Sequence, residues 1–591
     1  MHFRQAVLKL NDKTYTLLPG RANSFDEIYA DFQQTAENGG ARWGLFLHPK
    51  QDVVIQRLEI QFDWPLSAHA RFFANGYQSG SESRWLSVGE ANPRTHWLAR
   101  IRAGKESDEH IPDIPRGRGY WHSWTYTSVC HAAEAEAKNG GHAAITFFGS
   151  LNENTGFTLF LYDQPNGIFT VRKDMDGLQL SHSFPALDFW IGEGSEREVF
   201  ERYFALLGIE PTPNPAQLGW GSDGIGAKKI AEKDVFQSLD NVAGSALPFR
   251  IFQIGEGWQT DVGDWLSSNE RFPNGMGLVA QKIKEKGMVP CLWLAPFAVS
   301  KNSSLSKKHP NWLLKNAKGA PLKIGWSRKY GGGYHALDFY NNEVRNHLGG
   351  VFHQVLEQWG FEVIRLDYLF AACAAPPSGK TRGQVMHEAM EFLKKLAGSK
   401  KSIACGVPLG AVFGLVDYCR LGGEAHQGWK NRLQALLGLR NRADTQTSLR
   451  SSLGHWPLVG RAFHNVLDVF SLEAGQSKRV MELQYTSLTI HALLGSLLFS
   501  GDKIERFAPE QIAELEAVLD WRGSRATQVI EAQKDVFQIY FENGGAHFCA
   551  YCNLTSKPQT LTRDAERIEL MPFETLVLTQ VNNKKGAHFP N

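Results

Sequence analysis

From residue 218 to residue 503 the chain repeats one pattern, a short apolar run followed by a longer amphipathic stretch. The runs are LGWGS (218–222), FRIFQIGEGW (249–258), MVPCLWLAP (288–296), EVIRLDYL (362–369), KSIACGVP (401–408), VDYCRLGG (416–423), NVLDVFSL (465–472) and SLLFSGDK (496–503). Helix-like stretches such as GLVAQKIKEKG (277–287) and EVRNHLGGVFHQVLEQWG (343–360) lie between them. Near-continuous apolar runs are what parallel strands show when helices cover both faces of their sheet. Eight of them, with helical crossovers, over about 290 residues predict a (β/α)8 barrel. A doubly wound sheet is the second reading.

The flanks follow another rhythm. Before the repeats, AAITFFGS (143–150), TGFTLFLY (155–162) and GIFTVRK (167–173) are short runs broken by Gly, Asn and Pro, which predict an antiparallel β-sandwich over 1–212. The prolines of PTPNP (211–215) predict an extended linker. After the repeats, DVFQIYFE (535–542) and AHFCAYCNL (546–554) alternate again and predict a small antiparallel β domain over 516–591. The expected class is α/β, with a central barrel over 213–515 between two β domains. The 591 residues leave room for three cores.

Charge and cysteine usage narrow the class. A net charge of +2 gives no electrostatic case for nucleic acid or a membrane as partner. No run reaches the ~18 apolar residues of a membrane span, and MHFRQAVLKLNDKTYTLL at the start is not a basic segment followed by a long apolar one. Seven scattered cysteines fit a reducing compartment, so a cytoplasmic chain is expected. Cys549 and Cys552 form a lone CxxC in a strand-like segment, and His335, His426 and His464 stand isolated. None has the spacing of a metal site, and no cofactor is expected. The 17 Trp suit stacking on sugars or a large β core equally well.

The function rests on polar residues that interrupt strands. In FEVIRLDYLF (361–370), Arg365 and Asp367 break an apolar run. Such charges are costly unless paired or wetted. The mouth of a barrel, where the C-terminal ends of the strands converge, provides both. Asp367 ends strand four, Glu256 strand two, Arg420 and Glu424 strand six, and Asp502 strand eight. Arg365 and Asp367 share a face, with Arg365 one layer deeper. Two carboxylates on one pocket can hydrolyse a glycoside with retention. One attacks the anomeric carbon; the other protonates the leaving oxygen and then activates water. A structural ion pair at Asp367 is the competing reading.

Five blocks, in order and spacing, resemble glycoside hydrolase family 36, the bacterial α-galactosidases, whose clan includes families 27 and 31. They are EGWQTDVGDWLSSNERFPNGM (256–276), GMVPCLWLAPFAVSKNS (287–303), VIRLDYLFAA (363–372), CGVPLGAVFGLVDYCRLGGEA (405–425) and WPLVGRAFHNVLDVFSL (456–472). The resemblance spans roughly 215–510 and implies roles by position. Asp367 matches the nucleophile that forms a glycosyl–aspartate intermediate, and Glu424, four residues after Arg420, matches the acid/base. Trp258, Trp293 and Trp326 are candidates for walls of the sugar pocket, with barrel-core packing as the competing reading, and Cys405 and Gly406 match a small strand-five end that leaves room for the sugar. Glu256, Arg365 and Arg420 match further substrate-binding positions. The implied partner is a small oligosaccharide or α-glycoside, and homo-oligomers are common in the family.

Several positions depart from the pattern. Gly255 and Glu256 stand where the family has two adjacent Asp, which in the α-galactosidases hold the sugar's O4 and O6. Arg365 replaces a Lys, exchanging a point donor for a planar fork suited to an anion. Glu424 replaces the acid/base Asp. Strand one, GWGSDGIGAKK (219–229), lacks the family's aromatic-rich form. Four readings therefore stay open: an α-galactosidase that tolerates these changes, an α-glycosidase for a modified or acidic sugar, a transglycosidase of the raffinose-synthase kind, and an inactive sugar-binding homologue.

Overall fold

The structure, a computed structural model, describes residues 1–92, 105, 107–131, 144–213, 217–224, 230–327, 332–423, 445–467, 469–470, 478–563 and 566–579. The chain begins as an antiparallel sandwich. One sheet runs Lys13–Leu17, His2–Leu10, Val53–Asp63, Ile168–Lys173, Thr158–Asp163, Tyr120–Trp124. The other runs Ala22–Ser24, Ile28–Glu37, Gly40–Pro49, Phe184–Gly194, Ile145–Ser150, Tyr126–Cys130, Arg71–Ala74, Arg84–Ser87. Alternation builds it: Ala6, Leu8 and Leu10 of the first strand are buried while Lys9 is exposed. They share a core with Phe32, Trp43, Phe148 and Phe189 of the second sheet. Asn38 and Gly39, both at positive φ, make the two-residue turn that pairs Glu37 with Gly40. The helix Glu196–Leu206 follows, its start closed by a reciprocal Ser195–Glu198 capping box. Its buried face carries the core onward into the barrel, where the rings of Phe204 and Phe413 lie 5.4 Å apart.

Eight strands then close a barrel: β1 (Gln217–Gly221), β2 (Phe249–Ile254), β3 (Val289–Leu294), β4 (Val363–Leu366), β5 (Lys401–Ala404), β6 (Tyr418–Arg420), β7 (His464–Val466) and β8 (Leu497–Ser500). Every neighbouring pair is parallel, and each predicted apolar run supplied one strand. Parallel pairing buries both faces, which is why β4 and β8 have no exposed position. Helices Gly275–Glu285 and Asn342–His353 occupy two of the predicted amphipathic stretches. The second ends in a π-helical turn, Gln354–Gln358, ahead of Gly360 at φ 79°.

One excursion was not anticipated. Between β3 and β4 the chain folds a small antiparallel sheet of Ala298–Ser300, Gly332–Ala336 and Lys323–Ser327. Strands of three to five residues are too short for a period to show in the sequence.

After helix Pro509–Leu519 comes a sheet ordered Arg525–Gln533, Val536–Asn543, Ala546–Asn553, Thr575–Thr579, with a two-stranded ribbon of Gln559–Arg563 and Glu566–Leu570 beside it. Cys549 and Cys552 lie on opposite faces of Ala546–Asn553, one packed with Tyr551 and Leu561, the other with Phe537 and Ile539. An odd separation along a strand changes face, so the pair cannot grip one ion.

Candidate active site

Strand β4 stops at Leu366, but the ladder runs one residue further, because the Asp367 N–H donates to Leu294 O at 2.9 Å. Tyr368 then takes a left-handed conformation, φ 52° and ψ 32°, and turns the chain into the 3-10 segment Leu369–Cys373. Both oxygens of the Asp367 carboxylate are held. Oδ1 accepts from the Tyr368 N–H at 2.8 Å and Oδ2 from the Trp293 indole N–H at 3.2 Å. Trp293 sits on β3 in register with Arg365, so the indole reaches the carboxylate from the neighbouring strand. Gly406, at φ 60°, passes close by; a Cβ there would stand 3.6 Å from Asp367 Oδ1. The backbone angle, not the space, is what favours glycine here.

Arg365 is buried one layer deeper, as its place on β4 predicts, and its side chain is 8% exposed. Its Nη1 lies 3.1 Å from Oδ2 of Asp223, a carboxylate just past β1. The same Oδ2 accepts from Gln253 Nε2 of β2 at 2.9 Å. The Gly255 N–H donates to Ser222 Oγ at 2.8 Å, tying the ends of β1 and β2 together. Asp223 was not anticipated from the sequence. The signal was its position: GWGSDG carries an acid past the end of strand one much as VIRLDY does past strand four.

The remaining predicted residues divide. Glu256 is half-buried just past β2, beside Gly257 at φ 116°. Arg420 ends β6 and is 9% exposed. Cys405 is buried at the end of β5, where burial pushes its thiol pKa up, away from nucleophilic use. Asp502 is buried past β8, and its carbonyl accepts from the Trp220 indole at 3.0 Å. Trp258 corrects an expectation. It has no accessible surface, its indole N–H donates to Trp293 O at 3.0 Å, and its ring packs edge-on against Trp359. A side chain that the solvent cannot touch does not stack on a sugar, so Trp258 supports the wall from behind. Trp326 lies in Lys323–Ser327, but its side chain, like Glu424 and His426 entirely, lies outside the described residues.

The sandwich also reaches the mouth. The Ser79 N–H donates to Val407 O at 2.8 Å, and the Gly422 N–H donates to Ser79 O at 2.9 Å. The loop around Ser79 therefore lies against the ends of β5 and β6, a contact between segments more than 300 residues apart that no local pattern announces. Among the described residues there is no group of three His, Cys, Asp or Glu able to hold a metal ion. None of their helices is long and apolar enough to cross a membrane.

Comparison with known proteins agrees with this fold. The Melibiase family model matches residues 240–393, a span that includes Arg365 and Asp367. The A type blood α-D-galactosamine galactosaminidase of Flavonifractor plautii is 27% identical over 160 residues, 26% of this chain and 14% of that protein. The α-galactosidase AgaA of Geobacillus stearothermophilus is 32% identical over 87 residues, 13% of this chain and 12% of that protein. The aligned segments thus span about an eighth of these relatives' lengths. In three dimensions the likeness is broad. The α-galactosidase TtGalA of Thermus thermophilus, solved with p-nitrophenyl α-D-galactopyranoside, superposes with a TM-score of 0.67 at 24% identity, covering 92% of this chain and 98% of that one. AgaA, solved as a GH36 α-galactosidase, superposes with a TM-score of 0.61 at 12% identity over 97% and 88% of the two chains. At these identities the superpositions show the fold, and the family model and the aligned segments add a sequence resemblance to the Melibiase family and to α-galactosidases over part of the barrel.

Proposed function

We propose that the chain is a retaining exo-α-glycosidase that releases a terminal α-linked galactose, or a close relative of it, through a covalent glycosyl–aspartate intermediate. The observation that carries this reading is Asp367, held at the barrel mouth by one backbone and one indole donor with its carboxylate orientation fixed. A nucleophile fixed before the substrate arrives loses little entropy in the transition state. Asp367 attacks the anomeric carbon as the glycosidic bond breaks. Glu424, whose position resembles that of the family's acid/base, gives its proton to the departing oxygen. In the second step Glu424 takes a proton from water, whose oxygen displaces Asp367 and restores the enzyme. The named activities of the aligned relatives favour an α-galactoside. Cys291, Cys373, Cys405, Cys419 and Cys552 carry free thiols, as the proposed cytoplasmic setting would keep them.

Purified protein is offered a panel of nitrophenyl glycosides, α-galactoside included, beside Asp367→Ala. Release that disappears in the variant is expected, with the anomeric configuration retained in the first product seen by NMR. Inverted product, or turnover that survives in Asp367→Ala, excludes the mechanism. Addition of a free sugar acceptor separates hydrolysis from transglycosylation, since only the latter makes a new glycoside the major product.

A further inference from the structure

The mouth holds a second anchored carboxylate whose position is explained by an absence. Gly255, at the end of β2, has no side chain, and a Cβ built there would stand 2.6 Å from Asp223 Oδ1 and 3.2 Å from its Cγ. The Asp223 carboxylate fills the volume that any other residue at 255 would claim. Its two oxygens are used differently. Oδ2 is pinned by Arg365 Nη1 and Gln253 Nε2, donors from β4 and β2. Oδ1 accepts no hydrogen bond among the described residues, and the side chain is 33% exposed. A carboxylate oxygen held in place by its twin, open to solvent, at the end of a strand that neighbours β2 in the barrel, is an acceptor in search of a donor.

The geometry points to Asp223 as a substrate-binding residue that accepts a hydroxyl of an uncharged sugar, with Gly255 as the vacancy that admits it. This rests on the glycosidase reading of the same mouth. The Arg365–Asp223 pair also decides the sign of the ligand. The guanidinium, which alone would suit a uronate or sulfonate, already faces a carboxylate at 3.1 Å, so an anionic sugar would have to approach Asp223, Asp367 and Glu256. A neutral sugar meets a fixed acceptor and no net repulsion.

The test uses whichever α-glycoside the full-length wild type cleaves fastest, so that failure here differs from failure of the glycosidase reading. Asp223→Asn keeps the volume and should lower kcat/KM about 10- to 100-fold, the size of a lost hydrogen bond to a charged group. The reciprocal pair separates binding from folding. Gly255→Asp alone should be impaired, because two carboxylates compete for one space. Asp223→Gly/Gly255→Asp returns a carboxylate to that space from β2 and should recover at least tenfold over Asp223→Gly. Should Asp223→Asn not fold, the double variant carries the test, since it still offers Arg365 a partner. A kcat/KM within twofold of wild type in Asp223→Asn overturns the inference while leaving the glycosidase reading intact. So does a double variant no better than Asp223→Gly, or a wild type that prefers an α-uronide. If the wild type cleaves nothing, calorimetric binding of free galactose replaces kinetics. Equal affinity in wild type and Asp223→Asn, or no binding to either, then overturns it.

Discussion

At the scale of single residues, the side chain that hydrogen-bonds the Asp367 carboxylate is not charged. Trp293 donates its indole N–H to Oδ2 across the β3–β4 ladder, while the Tyr368 N–H holds Oδ1. Trp293→Phe keeps an aromatic side chain, smaller by the pyrrole ring, and removes the donor. A hydrogen bond to a carboxylate is worth about 1.5–3 kcal/mol, so kcat should fall roughly 10- to 100-fold with the thermal midpoint little changed. Unaltered kcat would show that Tyr368 positions the carboxylate alone. The sequence offers both Trp258 and Trp293 as walls of a sugar pocket, with barrel-core packing as the competing reading for each. Trp293 lies between two leucines and Trp258 between Gly257 and Gln259, yet it is Trp258 that is fully enclosed and Trp293 that meets the carboxylate. Which way an indole turns depends on neighbours brought from other strands.

At the scale of elements, the sandwich and barrel are joined by glycine. The turn Glu153–Thr155 wedges between two barrel segments. A Cβ on Gly383 would meet Glu153 O at 2.3 Å, and one on Gly410 would meet Glu153 Cγ at 2.5 Å. Helix Arg382–Ala397 is aimed at this turn by its cap. Thr381 Oγ1 accepts from the Gln384 N–H, closing a capping box, and donates to Thr155 O at 2.9 Å. Beside it the Arg382 guanidinium Nε reaches Asp174 Oδ2 at 2.7 Å. Gly383→Ala would gain helix propensity in isolation but must push the helix off the sandwich. Overpacking of this kind costs about 1–3 kcal/mol, so a lower urea midpoint is expected. A midpoint at or above wild type would mean that the junction yields freely.

For the whole molecule, pH acts where the domains meet. His455, in the barrel half of the chain, is buried beneath the sandwich with Nε2 2.9 Å from Asn75 Oδ1 and its ring edge-on to Phe73. Burial pushes its pKa down to about 4. Below about pH 6.5 the unfolded chain takes up this proton and the folded chain does not, so the contribution to stability shrinks as pH falls towards 4. The full loss is on the order of 3 kcal/mol. Glu196, raised to about 7 by burial despite the Trp456 indole N–H that favours its charged form, works in the opposite sense over the upper part of this range. The wild-type curve alone therefore mixes the two. His455→Gln, which retains a donor for Asn75, should lose less stability than wild type between about pH 7 and about pH 4.5. Parallel curves in urea titrations would remove His455 as a source of acid sensitivity.

The sequence by itself determined the order and kind of the parts. Period-two alternation marked the sandwich strands, continuous apolar runs marked all eight barrel strands, and the rarity of charge inside such runs singled out Arg365 and Asp367. These signals are local, because burial imposes its pattern on neighbouring residues in the chain. The tertiary structure decided what closure brings together. It paired Arg365 with Asp223 from β1, set Asp223 in the space over Gly255, turned Trp258 into the core and Trp293 onto Asp367, and laid Ser79 across the ends of β5 and β6. Each of these contacts joins residues that neither share a strand nor follow one another. The physical cause is the curvature of a closed sheet, which converges strand ends on one mouth, and for Ser79 the docking of the sandwich against that mouth.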